Sequence, residues 1–287
     1  MKSCQSPVEI VLADSEWHKE ERVIDEIGAR MKAYEKEALT REKLDRNLPL
    51  VARMDGHCFH QWVKAFKNKD CYDRRITVAM VETAKDLVQK FQAVLAYLQS
   101  DEITLVFNLN RLPEHNYLFD GRTLKLATVL AGYTSARFNY HIMNQVYSES
   151  EKKQLKLVNS FLAHFDARVF NVPTTGEVLN NIIWRCNFDC QRNSIDKLAR
   201  FHFNSKQLHG VGTGGKLTML KEKGIDWHAY PEDFKWGSFI KRKLVKKMGG
   251  PNNDVECLRG VTEVRYLGPI KYNQENIDVI FAKYWDE

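Results

Sequence analysis

The order of apolar runs in the first 175 residues constrains this chain most. Leu48-Pro49-Leu50-Val51-Ala52-Arg53-Met54 is a short apolar run that ends at Asp55-Gly56, a strand reaching a turn. Residues 73–92 then place Ile76, Met80, Ala84, Leu87 and Phe91 on one helical face. Residues 94–107 predict a tight hairpin, with Gln99-Ser100-Asp101-Glu102 at its tip. Residues 119–142 predict a second helix, and residues 165–172 a strand stopped by Pro173. Strand, helix, strand, strand, helix, strand is the α+β, ferredoxin-like βαββαβ order.

Additions flank this unit on both sides. Residues 15–45 predict a helix, with Val23, Ile24, Ile27, Met31 and Tyr34 at helical spacing. Residues 177–223 read as mostly helical, and 234–245 and 260–270 as strands. A boundary near residue 175 would separate residues 1–175 from an α+β region at 176–287. With 287 residues and 44% hydrophobic content, the chain can bury one large core or two modest ones. Its longest apolar stretches, such as Ala93 to Leu98, are far too short to span a bilayer. The early residues carry Glu9, Asp14, Glu16 and Glu20 and no apolar signal core, so a soluble cytoplasmic protein is the expectation. Reduced thiols are the expectation for its six cysteines. His57, Cys58, His60 and Cys71 lack the spaced pairs of a structural zinc site.

The chemistry lies in two carboxylates. In a βαββαβ sheet the first and third strands are central neighbours. Asp55, ending the first, and Asp101, in the turn before the third, would then converge at one edge. Two hard oxygen donors suit Mg²⁺, which takes one or two carboxylates plus substrate phosphates. Two such ions stabilise the attacking and leaving oxygens of a phosphoryl displacement. Gly56 lets backbone come close, so its carbonyl is a further ligand candidate. Glu102 would be a ligand from another angle or a supporting group. Each motif alone is weak, since Asp-Gly is a common turn dipeptide; their placement in one topology is the stronger signal. It points to a polymerase-type palm and metal-dependent nucleotidyl transfer.

Cations for a triphosphate are also needed. Arg122 and Lys125 share a face near the start of a helix, where phosphate binds well, although a solvated face fits the spacing equally. The net charge is +6, and Lys241, Arg242, Lys243, Lys246 and Lys247 form a basic run suited to an RNA backbone or to a solvated face. Gly210 to Leu217 imitates a phosphate-binding loop but lacks Ser or Thr after Lys216, so a flexible loop near RNA or nucleotide is the expectation.

The segments ARMDGHCFH (52–60), YLQSDEITLVF (97–107) and FDGRTLKLA (119–127) resemble the tRNA-His guanylyltransferase family, whose enzymes add nucleotides in the 3′-to-5′ direction. The resemblance runs from about residue 28 to about 243. It implies that Asp55, Gly56 and Asp101 hold two Mg²⁺, with Glu102 as the adjoining acidic residue. It implies nucleotide contacts from Arg53, His60 and Ser100, and triphosphate contacts from Arg122 and Lys125. Asp73 matches an aspartate that opens the next helix. Arg192, Asn193 and Lys235, with the run Lys241, Arg242 and Lys243, are the candidates for RNA contact.

Departures refine the assignment. The family's His-Ile-Asn-Asn motif falls at Gln191-Arg192-Asn193-Ser194, with Gln191 at the histidine position. An expected lysine falls at Asp70, with Lys69 one place off, and an Arg-Lys-Gly becomes Lys235-Trp236-Gly237. The stretch Arg192-Asn193-Ser194 with Leu198-Ala199, followed by Lys206-Gln207-Leu208-His209-Gly210, resembles the guanylyltransferase-like branch, which implies template-dependent repair of 5′-truncated tRNA. ATP or GTP would be substrates, ATP would activate the 5′ end, and a homotetramer is carried over with the family. The rival readings are G−1 addition to tRNA-His, a palm-type nucleotidyl cyclase, and an RNA-binding protein that kept the fold without catalysis.

Overall fold

The computed structural model describes residues 14–64, 71–107, 118–160, 162–249 and 255–285. Helix α1 (Asp14–Ala38) leads into β1 (Leu50–Gly56) and the short α2 (Phe59–Lys64). Helix α3 (Arg74–Phe91) precedes the hairpin of β2 (Leu95–Gln99) and β3 (Glu102–Phe107). Then come α4 (Thr123–Met143), α5 (Lys152–Ser160) and β4 (Phe165–Asn171). Helix α6 (Thr175–Ile183) runs through a π-helical turn (Trp184–Cys190) into α7 (Gln191–His202). After α8 (Ser205–Leu208), α9 (Thr213–Glu222) and α10 (Glu232–Trp236), the strands β5 (Ser238–Gly249) and β6 (Val255–Arg265) form a long ribbon, followed by α11 (Gln274–Phe281).

The strands form one sheet in the order β4-β1-β3-β2-β5-β6, with antiparallel pairs throughout. The first four reproduce the expected ferredoxin-like arrangement, with β1 and β3 in the middle. Strand alternation gives the sheet two unlike faces. On one face Ala52, Met54, Ile103 and Leu105 are fully buried. There Phe138 of α4 meets Phe165 of β4 edge-on at 5.5 Å and Phe59 at 5.4 Å. Such pairs add about 0.5–1.5 kcal/mol beyond the area they bury. The other face carries Arg53, Asp55, Glu102, Thr104, Tyr97 and Gln99, which are cross-strand partners along β1, β3 and β2. Helix α1 covers it through Glu35, and the π-helical turn through Arg185.

Local chemistry sets the element ends. The Asp73 carboxylate accepts from the Arg75 backbone N–H at 2.9 Å and caps α3, worth about 1 kcal/mol. Helix α1 stops at Ala38, short of the expected 45. The chain beyond it joins the start of α4, where Leu44 N donates to Gly121 O at 2.9 Å and Thr123 N to Glu42 O at 3.0 Å. Residues 119–121 were expected in α4; instead Phe119, Asp120 and Gly121 take left-handed φ values of 50°, 57° and 69° and form the turn before it. Phe234 opens no strand, since it lies in α10. Gly237, at φ +78°, then turns the chain onto β2, and a Cβ there would meet Leu98 O at 2.5 Å.

The sheet crosses the boundary placed near residue 175, because β5 pairs with β2. A second, smaller core lies beside it, where Ile195, Leu198, Leu220, Trp227 and Phe234 pack with Cys71. Among the described residues no helix is long and apolar enough to cross a membrane.

Candidate active site

Asp55 and Asp101 are brought together by the β1–β3 pairing. Asp55 stands opposite Glu102 in register, and Gly56 N donates to the Asp101 backbone carbonyl at 3.1 Å. Ser100 holds a left-handed φ of 49° in the hairpin turn, a conformation unusual for a residue with a Cβ. Gly56 is required where it stands: a Cβ there would lie 3.0 Å from the Asp101 Oδ2 and 2.7 Å from the Phe59 ring.

The electrostatics are those of a site short of positive charge. Burial, then repulsion from Asp101, pushes the Asp55 carboxyl up to about 6. Burial also raises Asp101, against the opposing pull of the Ser100 hydroxyl, Lys197 and His60. Glu102 is pushed up to about 8, chiefly by burial. It lies on the same sheet face as Asp55, 3.3 Å from the Arg185 Nη1 and 3.9 Å from the Arg53 Nε. Arg185 bridges onward to Asp189 at 2.7 Å, and Arg53 to Glu35 at 3.0 Å. These buried charges lie directly beneath Asp55.

A cleft opens beside Ser100, lined by the apolar Phe59, Ile76, Leu98 and Phe234 and by the polar or charged Asp73, Thr77, Ser100, Asn193, Lys197 and Asp233. A mainly apolar lining with a few polar groups is what small-ligand sites share. Among the described residues no three His, Cys, Asp or Glu side chains converge as metal ligands, so a zinc-type site at His57, Cys58, His60 and Cys71 is not formed. Two repelling carboxylates beside a close-approaching backbone do fit Mg²⁺, which completes its shell with water and phosphate oxygens.

A family model for tRNA-His guanylyltransferase (Thg1) matches residues 28–173. The chain belongs to the tRNA-His guanylyltransferase family. This is a family of nucleotidyltransferases, and the matched span contains the Asp55–Asp101 site. The chain is 31% identical over 276 residues to the uncharacterised protein R259 of Acanthamoeba polyphaga mimivirus, spanning 91% of this chain and 90% of that protein. It is 26% identical to the tRNA(His) guanylyltransferase of Debaryomyces hansenii, over 83% of this chain and 89% of the enzyme. A bacterial guanylyltransferase-like protein solved in complex with ATP superposes with a TM-score of 0.63 at 29% identity, covering 84% of this chain and 91% of the other. The enzyme from Saccharomyces cerevisiae shares the fold, at a TM-score of 0.55 and 22% identity, over 75% of this chain and 90% of that one.

The other family-implied residues scatter. Ser100 lines the cleft, and His60, exposed on α2, lies within electrostatic range of Asp101. Arg53 is 7% exposed and held by Glu35, so it supports Asp55 from below rather than opening onto the cleft. Arg122 and Lys125 stand at the wrong end of the sheet. Ser135 Oγ meets Phe165 N, whose residue pairs with Gly56, and Arg122 lies 13 residues earlier on α4. At 1.5 Å per residue that is roughly 20 Å along the helix. Asp70 and Lys69 lie outside the described residues.

The basic candidates divide. Asn193 is exposed at the cleft rim, and Arg192 is exposed and paired with Asp189. Lys235 is buried, donating to His228 O at 3.0 Å and paired with Glu232 at 2.7 Å. Lys241 is fully buried and donates to the carbonyls of Val279, Ile280 and Ala282 at the end of α11. An ammonium satisfies a helix C-terminus well, and that is its role here in place of RNA contact. Arg242 donates to Gln92, and Lys243 pairs with Glu263 at 3.3 Å. In the phosphate-loop look-alike, Lys216 is committed to Asp196 at 2.6 Å. Sequence reasoning missed Arg185, Asp189, Glu35 and Lys197. The signal for the first pair was an Arg and an Asp four apart inside an apolar helix.

Proposed function

We propose that this protein adds nucleotides to the 5′ end of RNA in the 3′-to-5′ direction, directed by a template strand, and so repairs 5′-truncated tRNA. The observation that carries the reading is the meeting of Asp55 and Asp101 over Gly56 beside a cleft of mixed apolar and polar lining. The family supports nucleotidyl transfer to tRNA, and the relatives solved with ATP and with GTP support those nucleotides as substrates. Gln191 at the family's histidine position favours repair over G−1 addition to tRNA-His.

Asp55 and Asp101, with the Gly56 carbonyl, would hold two Mg²⁺. When bound, these supply Lewis-acid stabilisation of the attacking hydroxyl and the departing phosphate oxygens. The chain's own work is positioning. The Ser100 hydroxyl donates to the Asp101 carboxylate and opposes the burial that raises it. Arg53 favours the ionised form of Asp55 from beneath. The apolar side chains Phe59, Ile76, Leu98 and Phe234 lining the cleft would exclude water from a bound base, and in-line approach of an incoming 3′-hydroxyl to an activated 5′ phosphate then requires mainly alignment.

The test is extension of tRNA lacking its 5′ nucleotide, supplied with a 5′-monophosphate or 5′-triphosphate end, the four NTPs, ATP and Mg²⁺. Wild type should add the template-matched nucleotide. Asp101→Ala should lose at least about three orders of magnitude in rate, the scale of several kcal/mol of charge stabilisation. Addition only to full-length tRNA-His would replace repair with G−1 addition. Undiminished addition by Asp101→Ala would remove the site.

A further inference from the structure

The cleft needs a cation that the family-implied pair cannot supply within one chain. Along α4, Arg122 lies roughly 20 Å and Lys125 roughly 15 Å from Ser135, which meets the partner of Gly56. Arg53 and Arg185 are buried and engaged with Glu35, Glu102 and Asp189. Among the described residues that line the cleft, Lys197 is the one basic side chain.

Lys197 is well placed and uncommitted. It lies on α7 one turn after Asn193, so both project from the same side of the helix toward the cleft. Helix α7 is anchored beneath it, where the buried Ser194 hydroxyl accepts from Trp227 Nε1 at 3.1 Å. Lys197 is half-buried, and among the described residues its ammonium makes no close ion pair and donates no hydrogen bond. Its charge nevertheless reaches the Asp101 carboxylate. An ammonium is a compact, rotatable donor that binds phosphate as a point charge. Ser100, Asn193 and Lys197 line the cleft together with Phe59, Ile76 and Phe234, so a nucleotide with its base on the apolar side chains would bring its phosphates within reach of the ammonium.

We infer that Lys197 holds the phosphate chain of the nucleotide at the Asp101 end of the cleft. This rests on the nucleotidyl-transfer reading above.

Equilibrium binding of ATP, inorganic tripolyphosphate and adenosine, at fixed Mg²⁺ and without RNA, tests this on wild type, Lys197→Ala, Lys197→Gln and Lys197→Arg. Lys197→Ala and Lys197→Gln should weaken ATP and tripolyphosphate by roughly 10- to 100-fold and leave adenosine unchanged. Lys197→Arg should restore most of the loss, and the thermal midpoint of all variants should match wild type. ATP and tripolyphosphate binding equal to wild type in Lys197→Ala would overturn the assignment while leaving the nucleotidyl-transfer reading standing. An equal loss of adenosine would also overturn it, by showing a structural effect. Wild type that binds no ATP would overturn both.

Discussion

The two faces of the central sheet are both covered by helices, but one is fully buried and apolar and the other partly buried and charged. Met54, Ile103 and Leu105 sit fully buried among apolar side chains. One residue away along the same strands, Arg53, Glu102 and Thr104 are buried among charges and dipoles. Several polar atoms on this second face, including Gln99 Oε1, Thr104 Oγ1 and Arg185 Nε, have no hydrogen-bond partner among the described residues. Burial without partners costs about 1–3 kcal/mol per group. The apolar face therefore stabilises the fold. The polar face draws on that stability to keep Asp55 ionisable over an arginine.

The largest expected effect that separates the faces is on stability. Leu105→Ala should lower the unfolding free energy by about 2–5 kcal/mol, as large-to-small core changes do. Asp55→Asn, on the opposite face of the same strand pair, should not destabilise the free protein. It removes a carboxylate that burial and Asp101 already disfavour, so a rise on the order of 1 kcal/mol after solvent screening is expected. Thermal unfolding without Mg²⁺ checks both. A loss for Asp55→Asn comparable to that for Leu105→Ala would mean that the two faces do not differ in this way. Added Mg²⁺ and ATP should raise the wild-type midpoint and leave the Asp55→Asn midpoint nearly unmoved.

The next effect concerns pH. Glu102 has an ordinary value of 4.5 and is pushed up to about 8 in the fold. A raised carboxyl binds its proton more tightly when folded. Its contribution is therefore full below about pH 4.5 and is lost as pH rises through about 8. Free wild-type protein should lose stability between about pH 4.5 and 8, with a slope of at most about 1.4 kcal/mol per pH unit from this group. Glu102→Gln keeps the neutral shape and should flatten that slope. Parallel stability curves for the two proteins would show that Arg185 and Arg53 already hold Glu102 ionised.

How much of this was readable follows from what each signal is made of. The strand–helix succession, the Asp55-Gly56 turn and the Ser100-Asp101 turn were legible because alternation, apolar faces and turn residues are local properties. The order β4-β1-β3-β2 followed from them. Position within a neighbourhood was not legible. Arg122 and Lys125 carry the right chemistry, but the length of α4 carries them away from Asp55. Arg185 and Asp189 sit in a π-helical turn, which leaves no periodic trace over seven residues. Lys197 looked like any solvated helix lysine until α7 was packed beside the hairpin.

The basic run at 241–247 brings the same contrast down to one strand, and the smallest effect is expected there. Lys241, at its sheet end, is a buried strut for α11, whereas Lys246 and Lys247 are exposed where the β5–β6 ribbon runs past its covering helices. Lys246 pairs with Glu256 at 2.8 Å, a surface contact of little energy. If the ribbon meets RNA, the exposed pair does so. Lys246→Glu with Lys247→Glu should weaken tRNA binding and reduce its salt slope by on the order of one to two, leaving the thermal midpoint unchanged. Lys241→Met should do the reverse, lowering the midpoint while leaving the salt slope alone, because its charge faces carbonyls rather than solvent. A slope that falls for Lys241→Met but not for the double reversal would move the RNA path off the ribbon tip. It would also mean that burial fails to sort structural from functional lysines along this strand.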